Sequence, residues 1–255
     1  MVRAFKALVR GLLKPVLSPR VPVRWQRRLG SLIGLSLRGP AGAVYRERRW
    51  AGVPVLDIAP AVGTPTLGVL FLHGGGYVMG GFGSHRKLAA TIGEAAGARV
   101  WLPEYRLAPE HPHPAALTDA LAVYAELLEQ GQPADRLVIA GDSAGGGLSL
   151  TLAGAIRDAG LPMPAALVLI SPWTDLSLRG PSIASHARRD PMVSPAWLRA
   201  CSEAYRAGTA KTDTACSPLF RESCRLAAGA DPGRLGGDSA LRRPAPARPP
   251  AADWR

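Results

Sequence analysis

The stretch able to do chemistry is Gly141-Asp142-Ser143-Ala144-Gly145, which follows the apolar run Val138-Ile139-Ala140 and opens a small-residue helical pattern. A serine on a sharp strand-to-helix turn stands exposed above its strand, and the flanking glycines let strand and helix pass close beside it. Such a serine can attack an acyl carbon, provided that a base takes its proton. The same pattern also describes a small-residue turn leading into a packed helix. A second stretch, His73-Gly74-Gly75-Gly76-Tyr77, follows the apolar run Leu67–Leu72. Consecutive glycines leave backbone N–H groups without side-chain cover, as the oxyanion of a tetrahedral intermediate requires. The N–H of Ala144, beside the serine at the start of its helix, would be a further donor. A glycine run after a strand also suits a phosphate-binding loop or a plain turn, but the Gly-Lys-Ser/Thr of a P-loop is absent.

These residues need a frame, and the hydrophobic pattern supplies one. Val44–Trp50 and Val53–Ile58 read as strands around a turn at Gly52, followed by Leu67–Leu72, Arg99–Leu102, Leu137–Ala140 and Ala166–Ser171. The later runs are short and continuously apolar, as expected for strands covered on both faces. Helical spacing falls between them, at Leu88–Ala96, Pro114–Glu129 and Gly147–Ala159. Strand-helix alternation predicts an α/β fold, a mostly parallel sheet with helices on both faces, and places a site at the carboxyl ends of the strands. Residues 172–213 lose the alternation, and the helical pattern Pro195–Ala207 suggests an excursion out of the sheet, a lid or cap.

Composition narrows the function. The chain has 255 residues, 47% hydrophobic, and a net charge of +12. Residues 1–50 carry twelve Lys/Arg against one acid, residues 51–220 twelve against fourteen, and residues 221–255 seven against four. The basicity therefore sits at the two ends, and with 6% aromatics and no recognition motif it does not signify nucleic-acid binding. Cys201, Cys216 and Cys224 have no metal-ligand spacing, so no metal site is expected, and three thiols without a secretion signal imply a reducing, cytoplasmic setting. Residues 1–17 form a basic amphipathic pattern with Phe5, Leu8, Leu12 and Leu13 on one face, interrupted by Arg10 and Lys14. Membrane-surface contact is one reading of that helix; packing its apolar face on the same protein is the favoured one.

Taken together, His73–Tyr77, Tyr105-Arg-Leu-Ala-Pro-Glu-His-Pro-His-Pro-Ala-Ala116, Asp119, Gly141–Gly146 and Ser171-Pro-Trp-Thr-Asp175 resemble the hormone-sensitive-lipase-like carboxylesterases of the α/β-hydrolase fold, over about residues 40–220. The resemblance implies a serine carboxylesterase acting on small-molecule, short to medium acyl esters without a cofactor. It makes Ser143 the nucleophile and Gly74, Gly75 and Ala144 the oxyanion donors. His73, Gly76, Gly141, Asp142 and Gly145 belong to the supporting motifs, with His73 holding its loop by hydrogen bonding. It also implies that residues 1–43 and about 177–207 form a cap, with residues 44–220 as the hydrolase domain.

The resemblance ends at Ser217-Pro-Leu-Phe220. The fold orders its triad Ser, then Asp/Glu, then His, yet the sequence has no histidine after His186 and no recognisable acid segment. Neither triad acid nor base is therefore identifiable, and a catalytically silent product or ligand-binding pseudo-enzyme is the alternative reading. Residues 221–255, rich in Arg, Ala, Pro and Gly, read as a low-complexity, disordered tail. Read one nucleotide later, codons for Leu226–Asp238 permit Leu-Pro-Pro-Ala-Leu-Ile-Gln-Val-Gly-Ser-Glu-Glu, the kind of segment that bears the family's acid. The expectation is a frameshift near Arg221 that replaces the last strands and helices.

Overall fold

The computed structural model describes residues 2–221, with side chains from Lys6 onward. The calls made for residues 222–255, the tail and the frameshift among them, lie outside the described residues.

Six strands form one sheet: β1 (Val44–Trp50), β2 (Val53–Ala59), β3 (Leu67–Leu72), β4 (Ala98–Pro103), β5 (Leu137–Asp142) and β6 (Ala166–Ile170), in the order β1-β2-β4-β3-β5-β6. The β1/β2 hairpin turns at Ala51 and Gly52, which have φ of 46° and 82°. It joins the sheet antiparallel through β2 and β4, while β3, β4, β5 and β6 run parallel. Alternation sorts the side chains of β3 between two cores. Val69 and Phe71 pack with Leu56, Ile58, Val100 and Leu102 under helix α3 (Phe82–Ala96). Leu70 and Leu72 pack against α4 (Ala115–Glu129) and α5 (Ala144–Asp158), through Val123, Leu127, Leu148 and Leu152 among others. Each strand of this kind delivers its carboxyl end to the same edge, where His73 and Ser143 emerge.

Every expected strand and helix forms, with two starts displaced. α3 begins at Phe82 rather than Leu88, and α5 at Ala144 rather than Gly147. Glycines at both starts disfavour helix locally, but they also permit close packing, and packing prevails. A Cβ on Gly83 would strike Ser31, and one on Gly146 or Gly147 would strike Pro172 or Trp173. The expectation that the later strands are covered on both faces fails at β6. Val168 is 49% and Ile170 41% exposed, and with Val69, Ile92 and Val138 they line a groove of about 370 Å³.

The segments expected to form a cap are helical. Residues before the sheet form α1 (Val2–Val16) and α2 (Val23–Ser36), and the later excursion forms α6 (Pro181–Ser185) and α7 (Pro195–Arg206). The two parts meet where Trp197 Nε1 donates to Gln26 Oε1 at 2.8 Å, and Arg10 and Lys14 donate to backbone carbonyls of residues 187–190. The favoured packing of α1 forms only in part: Leu8 and Leu12 are 57% and 61% exposed, Leu13 is half-buried, and Leu17, just past the helix, is buried, while the Phe5 side chain lies outside the described residues. Among the described residues, Arg10 and Lys14 supply the side-chain hydrogen bonds from this helix to the rest of the protein.

Candidate active site

Ser143 sits between β5 and α5 with φ 51° and ψ −116°, a conformation that costs a non-glycine residue of order 1–3 kcal/mol. Neighbours at the strand ends hold it there. Its N–H donates to the Ile170 carbonyl at 2.9 Å, and its own carbonyl accepts from Trp173 N–H at 2.8 Å. A Cβ on Gly145 would run into the Leu72 and His73 carbonyls, so α5 can cross the end of β3 only with glycine there. Ser143 is partly exposed, at the amino end of α5, where unpaired N–H groups and the helix dipole favour negative charge.

The glycine loop lies alongside. Gly74 N–H donates to Asp142 Oδ1 at 2.8 Å, which ties the loop to the elbow. That bond withdraws Gly74 from the donor set expected from the sequence: its N–H points at a carboxylate, not at open space. Gly75 and Gly76 have φ of 122° and 64°, and neither N–H has a protein acceptor among the described residues. The Ala144 N–H is likewise unengaged, since the first turn of a helix has no partner of its own. The unengaged donors beside Ser143 are thus Gly75, Gly76 and Ala144, one residue along from the set expected in the loop.

His73 is fully buried and supports this loop. Its ring stacks on Tyr105 with centroids 4.1 Å apart, and Nδ1 lies 2.9 Å from the Gly74 carbonyl. Burial, with help from nearby His85, holds its pKa down to about 3. The ring is therefore neutral, with Nδ1 as the donor, while Nε2 has no partner among the described residues. Tyr105 OH donates to the His73 carbonyl at 2.5 Å. Asp142 is held below its ordinary value: burial opposes its charge, but His85 and the Gly74 N–H outweigh it. His85 Nε2 stands 3.5 Å from Asp142 Oδ1.

Outer elements lock the arrangement. Asp119 on α4 accepts from the backbone N–H and guanidinium of Arg106, fixing the run Tyr105–Ala116. Tyr77 stacks on Tyr205 of α7 at 3.8 Å. Arg27 of α2 donates to the Val78 and Ala108 carbonyls and pairs with Glu110 at 2.6 Å. The roles of His85, Tyr105, Trp173 and Arg27 were not read from the sequence. Tyr105 and Trp173 fell within noticed motifs, whereas nothing local marks Arg27 or His85.

No base faces Ser143 among the described residues. No hydrogen bond reaches the Ser143 hydroxyl from any described residue. His73 faces Gly74, His85 faces Ser84 and Asp142, His113 faces Tyr205, His186 faces Ser185, and His111 is exposed with no side-chain hydrogen bond among the described residues. Asp175, in the run Ser171–Asp175 that follows β6, is engaged by Ser177 and Arg179.

Comparison with known proteins agrees with this fold. A family model described as alpha/beta hydrolase fold matches residues 69–232, past the point at Phe220 where the motif resemblance ends. An acetyl-hydrolase of Streptomyces hygroscopicus is 49% identical over 150 residues, 59% of this chain and 50% of that protein. LipR of Mycobacterium tuberculosis is 35% identical over 221 residues, 87% of this chain and 71% of that protein. The chain thus spans about half the length of the Streptomyces relative. The crystal structure of an esterase from the bacterial hormone-sensitive lipase family superposes with a TM-score of 0.80 at 35% identity, covering 85% of this chain and 73% of that one.

Proposed function

The chain belongs to the α/β-hydrolase fold family, in its hormone-sensitive-lipase-like carboxylesterase branch, and from that premise we propose that its site is built to hydrolyse carboxylic esters of short to medium acyl chains. Ser143 is the nucleophile of this reading. Its Oγ attacks the acyl carbon, the alcohol leaves, and water resolves the acyl-enzyme. Gly75, Gly76 and Ala144 N–H groups receive the oxyanion, each such donor being worth about 2.7–4 kcal/mol in known hydrolases. The single observation that carries the reading is a strained Ser143 and three unengaged N–H donors at one edge of the sheet, the glycine loop tied to the elbow through Gly74 and Asp142. The comparisons support the ester class through relatives called acetyl-hydrolase and esterase.

A second reading rests on a specific observation. The Ser143 proton has no acceptor among the described residues, and the sequence has no histidine after His186. Loss of triad members lowers kcat by about 10⁶, leaving roughly 10³–10⁴ over water from the oxyanion donors and binding. In this reading the chain is a silent or ligand-binding form of the same scaffold. Hydrolysis of p-nitrophenyl butanoate by the chain, measured beside Ser143→Ala, separates the two. Turnover that the Ser143→Ala variant loses supports the esterase. Equal rates for both overturn it for this chain, and thermal stabilisation by an ester without turnover then supports the ligand-binding form.

A further inference from the structure

Helix α2 is inside out. The face it presents to the protein holds Gln26, Arg27, Gly30, Ser31 and Gly34, and a Cβ on Gly34 would strike Gly83 and Ser84 of α3. Its outer face carries Trp25, Leu29 and Leu32, at i, i+4 and i+7, which are 46%, 37% and 62% exposed. A surface helix ordinarily turns such a ladder inward. α1 repeats the pattern with Leu8 and Leu12 exposed.

Charge says what this face meets. Residues 1–43 hold nine Lys/Arg and no acid, whereas residues 51–220 are nearly balanced. Lys6, Arg20, Arg24, Arg28 and Arg38 are all exposed, and none has an acidic partner among the described residues. Arg28 lies over the Trp25 ring at 5.2 Å. Exposed leucines, a tryptophan and unpaired cations on two consecutive helices and the segments flanking α2 are the composition of an interfacial element. Its apolar side chains enter the acyl boundary while its cations stay among acidic headgroups. A second copy of the chain would bring the same positive charge to the same face and be repelled. We propose that the outer face of α1 and α2 docks on an anionic lipid surface. The inference stands apart from the esterase reading, since it uses none of the residues around Ser143.

Co-sedimentation of the full chain with vesicles of phosphatidylcholine, alone or mixed with phosphatidylglycerol, tests it. The expected result is pelleting with the mixed vesicles only, weakened by salt. Leu32→Glu, on an exposed position, is expected to lower that partition roughly tenfold, and Arg24→Gln with Arg28→Gln to lower it further. Circular dichroism of each variant confirms that the fold is kept. Absence of pelleting, equal pelleting with phosphatidylcholine alone, or partition unmoved in the folded Leu32→Glu variant overturns the proposal. So does a dimer by light scattering that Leu32→Glu dissociates while vesicle binding is nil.

Discussion

At the scale of single residues, Ser143 is held through its backbone and Asp142 does much of the holding. The Asp142 carboxylate joins the Gly74 N–H to His85, so the glycine loop and the elbow move as one piece. Asp142→Ala leaves that N–H without its acceptor and is expected to cost about 1–3 kcal/mol, read as a lower urea midpoint. Gly75 is equally constrained, with φ 122° and the Met79 backbone where a Cβ would stand. Gly75→Ala should therefore lower the melting temperature and displace one of the proposed oxyanion donors, reducing any ester turnover by more than tenfold. His73→Asn is a gentler case. It removes the ring stacked on Tyr105, and with it about 0.5–1.5 kcal/mol beyond burial area.

Elements show where packing overrides local preference. Three glycines open α5, a poor helical start by propensity, yet each lies against a neighbouring backbone or ring that tolerates nothing larger. α2 meets α3 the same way. Gly34→Val would drive a branched side chain into the Gly83 and Ser84 backbone, forcing the helices apart at a cost of about 1–3 kcal/mol. Because α2 also carries Arg27 and Gln26, the variant should loosen the contacts to Val78, Glu110 and Trp197 together. Amide exchange over residues 23–36 and 75–85 would read this as a joint loss of protection; a loss confined to α2 would show that this helix is not coupled to the glycine loop.

For the molecule as a whole, buried carboxylates set the response to acid. Asp57 is buried between Arg48 and Arg99 across β1, β2 and β4, at 3.0 Å and 2.6 Å. Burial opposes its charge, but the two guanidinium groups more than reverse this and lower its pKa, as His85 and Gly74 do for Asp142. A depressed folded pKa means stability that is full above the unfolded value of about 3.9 and lost as pH falls through the folded one. Urea unfolding should be nearly independent of pH between about 5 and 7 as far as these groups are concerned, and weaken below about 4. Asp57→Asn should be less stable at neutral pH and show a shallower acid drop; an unchanged acid limb would remove Asp57 from the account.

Much of the architecture was legible in the sequence because strand burial and helix amphipathicity leave local periods. The runs at Leu67–Leu72 and Leu137–Ala140, the spacing in Pro114–Glu129 and the two glycine motifs marked sheet, helices and elbow without any partner being known. What pairing and packing decide had no such trace. Gly74 looked like a free donor until Asp142, distant in the chain, was found to accept its N–H. Nothing local tells that Trp25, Leu29 and Leu32 of α2 face outward, because the close fit of Gly34 against Gly83 and Ser84 of α3 is what turns the opposite side inward. Sequence determined the kind of chemistry that Ser143 could do. Only the tertiary structure decided which backbone groups stand free to assist it, because a hydrogen bond between distant segments is invisible until the chain has folded them together.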